Sequence, residues 1–416
     1  MEYAHYYNAD RLSSQAEEAA AVCMQNLSNW RPAVDEIRAW PEYSQQPLLS
    51  LPKLARKLGI SEIFVKDESR RFGTDLGSFK ALGAPYSVYK ILAEEVHAKT
   101  GVYPTAAQLR TDKYRDITRN ITVCVATDGN QGRGLAYGAK IFGCRCVDYI
   151  HDHVSEERAK RMMALDAIVI RIDGEYEASV NRAKEDARMN GWFFVSSTSW
   201  SDFDNDVPQH VMNAYMVVLE EAIEQIPQLE KITHVFVCGG VGSIAAAIFQ
   251  GFYTYIRGTQ KAPSKVPRFI VVEPSEADCL LQSAKNGELR QSEGTLRTLM
   301  AGLACRAPSP AAWKILKWLA SDFVAVPDSA AVEGMKTLAH GREGDIPVVC
   351  GESSAASMGV LFESGTNSSL REKLGLDENS QAIMFGLEGA TDPAIYESLV
   401  GKSPATIFEA QCQFTA

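Results

Sequence analysis

Short β-branched apolar stretches alternate with longer segments of helical spacing along most of this chain. The short stretches are predicted to be buried strands, at 62–66, 121–127, 146–150, 167–173, 192–197, 233–238, 268–274 and 381–389. The segments between them repeat apolar residues with the period of a helix. Strands separated by helices in this way indicate βαβ units and a parallel sheet, so the predicted fold class is α/β.

Two regions depart from this alternation. Residues 1–45 mix polar and apolar positions and are predicted to be helical, followed by a loop that ends near Pro47. Residues 103–117 carry many charges and are interpreted as a surface helix or an insertion. A chain of 416 residues suits two domains, or one domain with a large inserted lobe.

A lysine follows a glycine-containing loop in DESRRFGTDLGSFKALGA, residues 67–84. The predicted strand ends at Lys66, and Ser78 is suited to cap a helix that begins near Phe79. Lys80 then lies in the first helical turn, between small residues that let a planar ring approach. Such an amine can form a Schiff base with an aldehyde cofactor. The alternative is an ordinary surface lysine at a helix start.

The segment ATDGNQGRG, residues 126–134, lies where a predicted strand ends and a helix begins. Ligands of open α/β sheets bind outside the carboxyl ends of strands. Asn130 is suited to donate a hydrogen bond to a ring oxygen, and the Asp128 carboxylate is suited to acid–base chemistry. An Asp-Gly turn with an asparagine cap has the same pattern, so both interpretations stay open here.

A glycine-rich turn, CGGVGSIAAA at residues 238–247, also joins a predicted strand to a helix. Glycines let backbone N–H groups approach an anion, and the helix adds its positive end. Gly240, Gly242 and Ala245 also match the dinucleotide pattern GxGxxA, and the next strand carries an acid, Glu273. That acid lies beyond the ~20 residues expected for ribose binding, so we favour a monophosphate site.

The composition is that of a folded, acidic protein. Hydrophobic residues make up 46% and charged residues 23%, so a large core can be buried. The net charge of −10 argues against general binding to nucleic acid or to anionic membranes. The apolar stretch Val235–Phe249 is shorter than the ~20 residues of a membrane span and contains glycines. We expect neither a nucleic-acid partner nor membrane association.

Weaker features add little chemistry. The N-terminus lacks a secretory signal pattern and the nine cysteines form no CxxC pair, so reduced thiols and a cytoplasmic location are expected. His151 and His153 have no further cluster around them, so no metal site is predicted. The small-residue loops at 350–359 and 386–393 suit either ligand approach or plain turns, and the RRF at 70–72 is interpreted as a solvated basic face.

With these motifs placed, their order resembles that of the diaminopropionate ammonia-lyases, members of the fold-type II pyridoxal-phosphate (PLP) enzymes. The resemblance runs from about Pro47 to Pro393, through DES, RFG, SFKALG, TDGN, CGGVGS, GES and LEGATD. It implies a two-lobed α/β fold with twisted, mostly parallel sheets flanked by helices. A large PLP-binding domain would comprise residues 1–91 and 226–416, with a smaller capping domain, 92–225, inserted.

The resemblance also implies roles for individual residues. Lys80 would form the Schiff base with pyridoxal 5'-phosphate, Asp128 would act as acid–base near the substrate α-carbon, and Asn130 would contact the hydroxyl side of the ring. The phosphate would be held by the backbone amides of Gly239, Gly240, Val241, Gly242 and Ser243. The expected substrate contacts are Ser78, Thr127, Asp128 and Ser197. The LEGATD loop would lie near the pyridine nitrogen.

By this resemblance the protein would be a homodimer that converts a small amino acid, 2,3-diaminopropionate, into pyruvate and ammonia. Gln131 replaces the histidine of the family pattern TDGNHG, and Ser197 replaces a second acid thought to serve the D-substrate. Gly386 and Leu387 replace hydroxyl residues near the pyridine nitrogen. The alternatives are PLP-dependent β-replacement, dehydration or a biosynthetic reaction on another amino acid, and a nucleotide-binding oxidoreductase or sensor.

Overall fold

The computed structural model describes residues 3–27, 29–127, 129–196, 198, 206–259 and 266–415. Asp128 and Ser197, two of the predicted site residues, lie outside these described ranges. Within them, the chain forms two β-sheets with helices packed against them. No helix among the described residues is long and apolar enough to cross a membrane.

The strands of the described residues are, in chain order, β1 (Ala4–Tyr7), β2 (Leu48–Ser50), β3 (Glu62–Asp67), β4 (Thr122–Ala126), β5 (Arg145–His151), β6 (Ile168–Ile172), β7 (Phe193–Phe194), β8 (His234–Cys238), β9 (Arg268–Pro274), β10 (Asp322–Val326) and β11 (Gln381–Gly386). The larger sheet has the order β1–β10–β9–β8–β11–β3–β2. The smaller sheet has the order β6–β5–β4–β7.

The α-helices of the described residues are α1 (Ser14–Leu27), α2 (Arg31–Arg38), α3 (Pro52–Lys57), α4 (Lys80–Thr100), α5 (Ala106–Leu109), α6 (Arg115–Thr118), α7 (Asn130–Phe142), α8 (Glu156–Met163), α9 (Tyr176–Asn190), α10 (Asp206–Gln225), α11 (Ser243–Thr259), α12 (Cys279–Asn286), α13 (Pro310–Leu319), α14 (Asp328–Ala339), α15 (Glu352–Ser364), α16 (Ser368–Leu374), α17 (Pro393–Val400) and α18 (Pro404–Thr415). Short 3₁₀ turns occur at Asp112–Tyr114, Leu229–Lys231, Ala301–Leu303 and Arg342–Gly344.

Parallel pairing dominates both sheets. In the larger sheet, β10, β9, β8, β11 and β3 pair in parallel, and only the edge strands β1 and β2 are antiparallel among the described pairs. The smaller sheet is parallel at every described pair. In register, Ile383 of β11 lies opposite Phe64 of β3 and Val235 of β8. The predicted α/β fold with mostly parallel sheets is therefore confirmed.

The predicted strands all occur, with differences at their ends. The prediction 192–197 shrinks to β7, because the chain leaves the sheet and Ser196 and Thr198 line a cavity instead. Strands β1, β2 and β10 were not predicted, and the helical prediction for residues 1–45 was wrong at β1, Ala4–Tyr7. Both β1 and β2 are short and incompletely buried, so their sequences lack the apolar alternation that marks a strand.

Helices α4 and α7 pack unusually closely, and this packing places Lys80 beside the start of α7. A Cβ atom at Gly134 would lie 2.7 Å from the backbone oxygen of Lys80. A Cβ atom at Gly138, one turn further along, would lie 2.7 Å from Cα of Pro85. Side chains at these two positions would push the helices apart, so the glycines fix the distance between the two halves of the site.

The RRF segment at 70–72 is not a solvated face, and that interpretation was wrong for Arg71. Its side chain is fully buried and forms ion pairs with Glu68, at 2.7 Å, and with Glu221 of α10, at 2.8 Å. Lys66 also contacts Glu221, at 2.7 Å. The ion pairs and hydrogen bonds among these side chains offset the cost of removing their charges from water, so the charged groups can be buried.

Candidate active site

A cavity of about 690 Å³ lies at the carboxyl ends of β4, β8 and β11. Small-molecule sites typically enclose ~300–1,000 Å³, and open parallel sheets bind ligands at this end of their strands. The predicted site residues that line the cavity are Lys80, Thr127, Asn130, Gly239, Gly240, Val241 and Ser243. Residues about 160 positions apart in the chain are thus brought to one space, as the site prediction requires.

Two predicted residues within the described ranges act from behind the cavity wall. Ser78 is 1% exposed, and its Oγ accepts a hydrogen bond from the backbone N–H of Lys80 at 3.3 Å. Gly242 has φ of 94°, and a Cβ there would lie 2.8 Å from Cδ1 of Leu316. Both residues shape the turns that carry the lining residues.

Lys80 is the first residue of α4, and the loop before it is hydrogen-bonded to the loop after β11. The N–H of Phe79 donates to the oxygen of Leu387 at 3.0 Å, and the N–H of Gly389 donates to the oxygen of Gly77 at 2.9 Å. The ammonium of Lys80 lies 5.2 Å from the centre of the Phe79 ring, within cation–π range. The lysine is therefore placed by a rigid backbone.

The junction between β4 and α7 is organised by side chains. The Oγ1 of Thr127 accepts hydrogen bonds from the N–H groups of Gly129 and Gly132, both at 2.9 Å, and so caps the helix. The Nδ2 of Asn130 donates to Oε2 of Glu388 at 2.7 Å, and Arg133 donates to Oδ1 of Asn130. The amide of Asn130 is therefore fixed in orientation at the cavity wall.

The junction between β8 and α11, residues 239–243, is the glycine loop. Gly240 and Gly242 have φ of 63° and 94°, a region that side chains disfavour. A Cβ at Gly239 would lie 2.7 Å from Cγ of Glu273. The loop thus needs glycine, and it presents backbone next to the N-terminus of α11, which begins at Ser243. This arrangement is typical of an anion cradle.

Glu273, the acid considered for ribose binding, faces the core instead of the cavity. Its carboxylate accepts hydrogen bonds from the N–H groups of Leu280, at 3.0 Å, and Leu281, at 2.8 Å, at the start of α12. Burial raises the pKa of this fully buried carboxyl to about 8. Because the carboxylate is already used, the dinucleotide interpretation loses its recognition acid and the monophosphate interpretation is favoured.

The cavity wall also carries charged residues that were not predicted, among them Glu388, Glu352 and Arg158. Glu388 accepts hydrogen bonds from Asn130 and from the N–H of Ser353, at 3.1 Å. Glu352 lies 3.5 Å from Nη2 of Arg158, which comes from α8 beside the smaller sheet. Burial, and then the charge of Glu388, raises the pKa of Glu352 to about 7. Both acids lie in the small-residue segments already noted, and the prediction of a loop at 350–359 was wrong because α15 begins at Glu352.

The arrangement fits PLP by its chemistry. A lysine amine is present for the aldehyde, a backbone cradle for the phosphate, and an oriented asparagine for the ring hydroxyl, all on one cavity. Glycine at positions 239 and 242 lets the backbone of the cradle pack against the core, where a Cβ atom would meet Glu273 and Leu316. The site can therefore hold an aldehyde cofactor with an anionic tail and still leave room for a small amino acid.

Comparison with known proteins agrees with this chemistry. The family model described as pyridoxal-phosphate dependent enzyme matches residues 39–383. The diaminopropionate ammonia-lyase of Salmonella typhimurium is 35% identical over 368 residues, which are 86% of this chain and 89% of that protein. The crystal structure of the holo diaminopropionate ammonia-lyase from Escherichia coli superposes with a TM-score of 0.80 at 29% identity, covering 96% and 97% of the two chains. Its complex with an aminoacrylate-PLP azomethine reaction intermediate gives 0.78 at the same identity and coverage.

Proposed function

Because this chain belongs to the pyridoxal-phosphate-dependent enzymes, among the diaminopropionate ammonia-lyases, we propose that it converts 2,3-diaminopropionate and water into pyruvate, releasing both amino groups as ammonia. The observation that carries the proposal is the shared cavity. The amine of Lys80 and the glycine loop line one space of about 690 Å³, although they are distant in sequence.

PLP is the cofactor of this family, and when bound it supplies an electron sink that makes the α-proton of an amino acid removable. Lys80 would hold its aldehyde group, the backbone amides of the glycine loop its phosphate, and Asn130 its ring hydroxyl. The Asn130–Glu388 hydrogen bond supports the last role, because it keeps the amide of Asn130 at a fixed position.

We assign the proton transfers to groups on the cavity wall. The Nζ of Lys80 takes the proton from the substrate α-carbon, and Asp128, which directly follows the cavity residue Thr127, is the second acid–base. The departing β-nitrogen needs a proton to leave as ammonia. Glu352 is suited to supply it, because a carboxyl with a pKa of about 7 can still donate at neutral pH.

The remaining predicted substrate residues divide by what their side chains contact. Ser78 and Thr127 accept hydrogen bonds from backbone N–H groups, which supports a positioning role for their hydroxyls. Ser197 stays a proposed substrate contact, supported by its described neighbours Ser196 and Thr198, which line the cavity.

We also propose a cytoplasmic homodimer with a large domain, 1–91 and 226–416, and a smaller inserted domain, 92–225. Support for the division comes from the strands, since β4 to β7 all lie within 92–225 and the strands of the larger sheet lie outside it. The described residues include all nine cysteines, none in a disulfide, which suits a reducing compartment. The family resemblance supports the dimer.

Turnover of 2,3-diaminopropionate by the purified holoenzyme tests the proposal. The expected result is visible absorbance from bound PLP, with pyruvate and ammonia formed, both lost in Lys80→Ala. The matched control is Lys99→Ala, at the exposed far end of the same helix α4, which should retain both. Pyruvate from serine alone would indicate a dehydratase, and a new amino acid formed with an added thiol would indicate β-replacement. No keto acid or replacement product from any of these amino acids would overturn the proposal.

A further inference from the structure

Gln131 lies in the first turn of α7, lines the cavity, and carries a buried side-chain amide without a partner. It is only 9% exposed, and neither Nε2 nor Oε1 forms a hydrogen bond with any described residue. Polar groups buried in this state cost free energy and are rare, so each needs a reason. We propose that Gln131 binds the polar group on the β-carbon of the amino-acid substrate, an amine or a hydroxyl, and so determines substrate specificity.

The polar side chains around Gln131 are already engaged with the protein. Both polar atoms of the Asn130 side chain are hydrogen-bonded, to Glu388 and Arg133. The Oγ1 of Thr127 accepts two backbone N–H groups. Each of these polar atoms has a protein partner, whereas the amide of Gln131 has none among the described residues and is left to meet the substrate.

Other parts of the cavity wall also carry buried polar groups without a partner in the described part of the chain, so we expect a ligand with several polar groups. The hydroxyls of Ser353, on α15, and of Tyr215, on α10, also line the cavity and are buried without a partner among the described residues. Each hydroxyl donates and accepts through one oxygen, whereas the amide of Gln131 carries its donor and its acceptor on two separate atoms at one end. That pairing matches an amine or a hydroxyl group.

The Gln131 amide is neutral, which favours binding of the β-substituent over binding of the anionic phosphate or carboxylate of the ligand. A phosphate is matched by the glycine loop, and a carboxylate is matched better by a helix N-terminus or a cation such as Arg158 than by a neutral amide. An ammonium or a hydroxyl finds an acceptor in Oε1 of Gln131. A histidine at this position would repel an ammonium whenever it was protonated, and glutamine removes that repulsion.

This inference rests on the proposed function and refines it. The amide of Gln131 does not ionise near neutral pH, so it orients the Cβ–N or Cβ–O bond and leaves proton transfer to other groups. Removing the amide should therefore affect only substrates whose β-substituent forms hydrogen bonds. β-Chloroalanine supplies the contrast, because its leaving group departs as chloride without a proton.

The test compares Gln131→Met with the wild-type holoenzyme on three substrates. We expect kcat/KM to fall roughly 10-fold to 100-fold for 2,3-diaminopropionate and serine, the loss for one substrate hydrogen bond, and less than about threefold for β-chloroalanine. Equal falls on all three would mean that Gln131 binds a part common to them, and no fall would mean no contact. Either result overturns the inference. A wild-type enzyme inactive on all three would instead overturn the proposed function and the inference with it.

Two further readouts exclude a purely structural role. Alanine has no polar β-substituent, so its dissociation constant, measured by absorbance titration of the holoenzyme, should change less than about twofold in Gln131→Met. The melting temperature without substrate should be unchanged or higher, because a buried unsatisfied amide is removed. The matched control is Gln209→Met, in the first turn of α10 and not among the cavity residues, which should leave all three kcat/KM values unchanged. Weaker alanine binding or a lower melting temperature would contradict the inference.

Discussion

Two strand–helix junctions meet at the cavity, and they are built in opposite ways. The glycine loop between β8 and α11 presents backbone and excludes side chains by its conformation. The junction between β4 and α7 presents side chains, with Thr127 as a cap and Asn130 held by Glu388. An anion needs convergent N–H groups, whereas a ring and a substrate need directed polar side chains. The same local topology is therefore suited to bind two different parts of one ligand.

A buried carboxylate from the neighbouring strand lies beneath each junction, and the two differ in their partners. Under the glycine loop, both oxygens of Glu273 accept backbone N–H groups. Under α7, Oδ2 of Asp148 lies 3.0 Å from where a Cβ of Gly132 would be, and has no hydrogen-bond partner among the described residues. Burial raises the pKa of both carboxyls to about 8. Glu273 is thus a structural acceptor, whereas Asp148 keeps one buried oxygen without a hydrogen bond from the described residues.

The largest effect is expected from a methyl group in the glycine loop. Gly242→Ala places a side chain at φ of 94°, 2.8 Å from Leu316 Cδ1, so the loop must shift and the phosphate cradle opens. We expect the dissociation constant of PLP to rise roughly 10-fold to 1,000-fold in an absorbance titration. Gly258→Ala is the control, because a Cβ there meets nothing within 4 Å. Unchanged PLP affinity in Gly242→Ala would refute the cradle.

A smaller effect is expected at the side-chain junction. Glu388→Gln keeps the shape but turns one acceptor into a donor, which then faces Asn130 Nδ2 or the N–H of Ser353. We expect kcat/KM for 2,3-diaminopropionate to fall roughly 10-fold to 100-fold. Glu397→Gln, exposed on α17, should have no effect. An undiminished kcat/KM in Glu388→Gln would show that Asn130 needs no anchor.

Substitution of the two buried acids should change the free energy of unfolding in opposite directions, by roughly 1–3 kcal/mol in each case. Burial raises the pKa of Asp148 in the folded protein from 3.8 to about 8. In the unfolded chain this carboxyl therefore ionises at lower pH, and its contribution to the stability of the fold is lost as pH rises between these two values. Asp148→Asn should therefore gain stability over the wild type as pH increases from 6 to 9. At pH 6, Glu273→Gln should lose stability, because it removes an acceptor from α12. The pKa of Glu273 is also raised to about 8, so this variant too should gain on the wild type as pH increases. Melting temperatures at both pH values would check this, and equal signs of the two stability changes at pH 6 would contradict it.

The smallest effect is expected from the ion pair between Arg158 of α8 and Glu352 of α15 at the cavity wall. Arg158 lowers the pKa of Glu352, against burial and Glu388, which raise it. Arg158→Met should move the pH at which activity declines upward by roughly 0.2–0.7 unit, the effect of a partly solvated pair. A downward shift of the pH–activity profile would exclude Glu352 as the proton donor.

The contrast between the junctions also explains what sequence could predict. Strand β9 and the glycine loop were predictable because β-branched runs and glycine spacing are local signals. The anchor Glu388 was not, since its partner Asn130 lies 258 residues away in the chain. Arg71 was misread for the same reason, because Glu221, which allows its burial, is 150 residues distant. Local sequence patterns predicted the strands and the glycine loop, but they contain no information about which charged residues pair across long stretches of the chain.

The most direct test of the account is to find which amine binds the cofactor. The holoenzyme would be reduced with borohydride, digested, and the peptide that carries the added pyridoxyl phosphate mass identified by mass spectrometry. We predict modification of Lys80, the amine that shares the cavity with the glycine loop. Modification of another lysine, such as the buried Lys66 paired with Glu221, or of none, would contradict it.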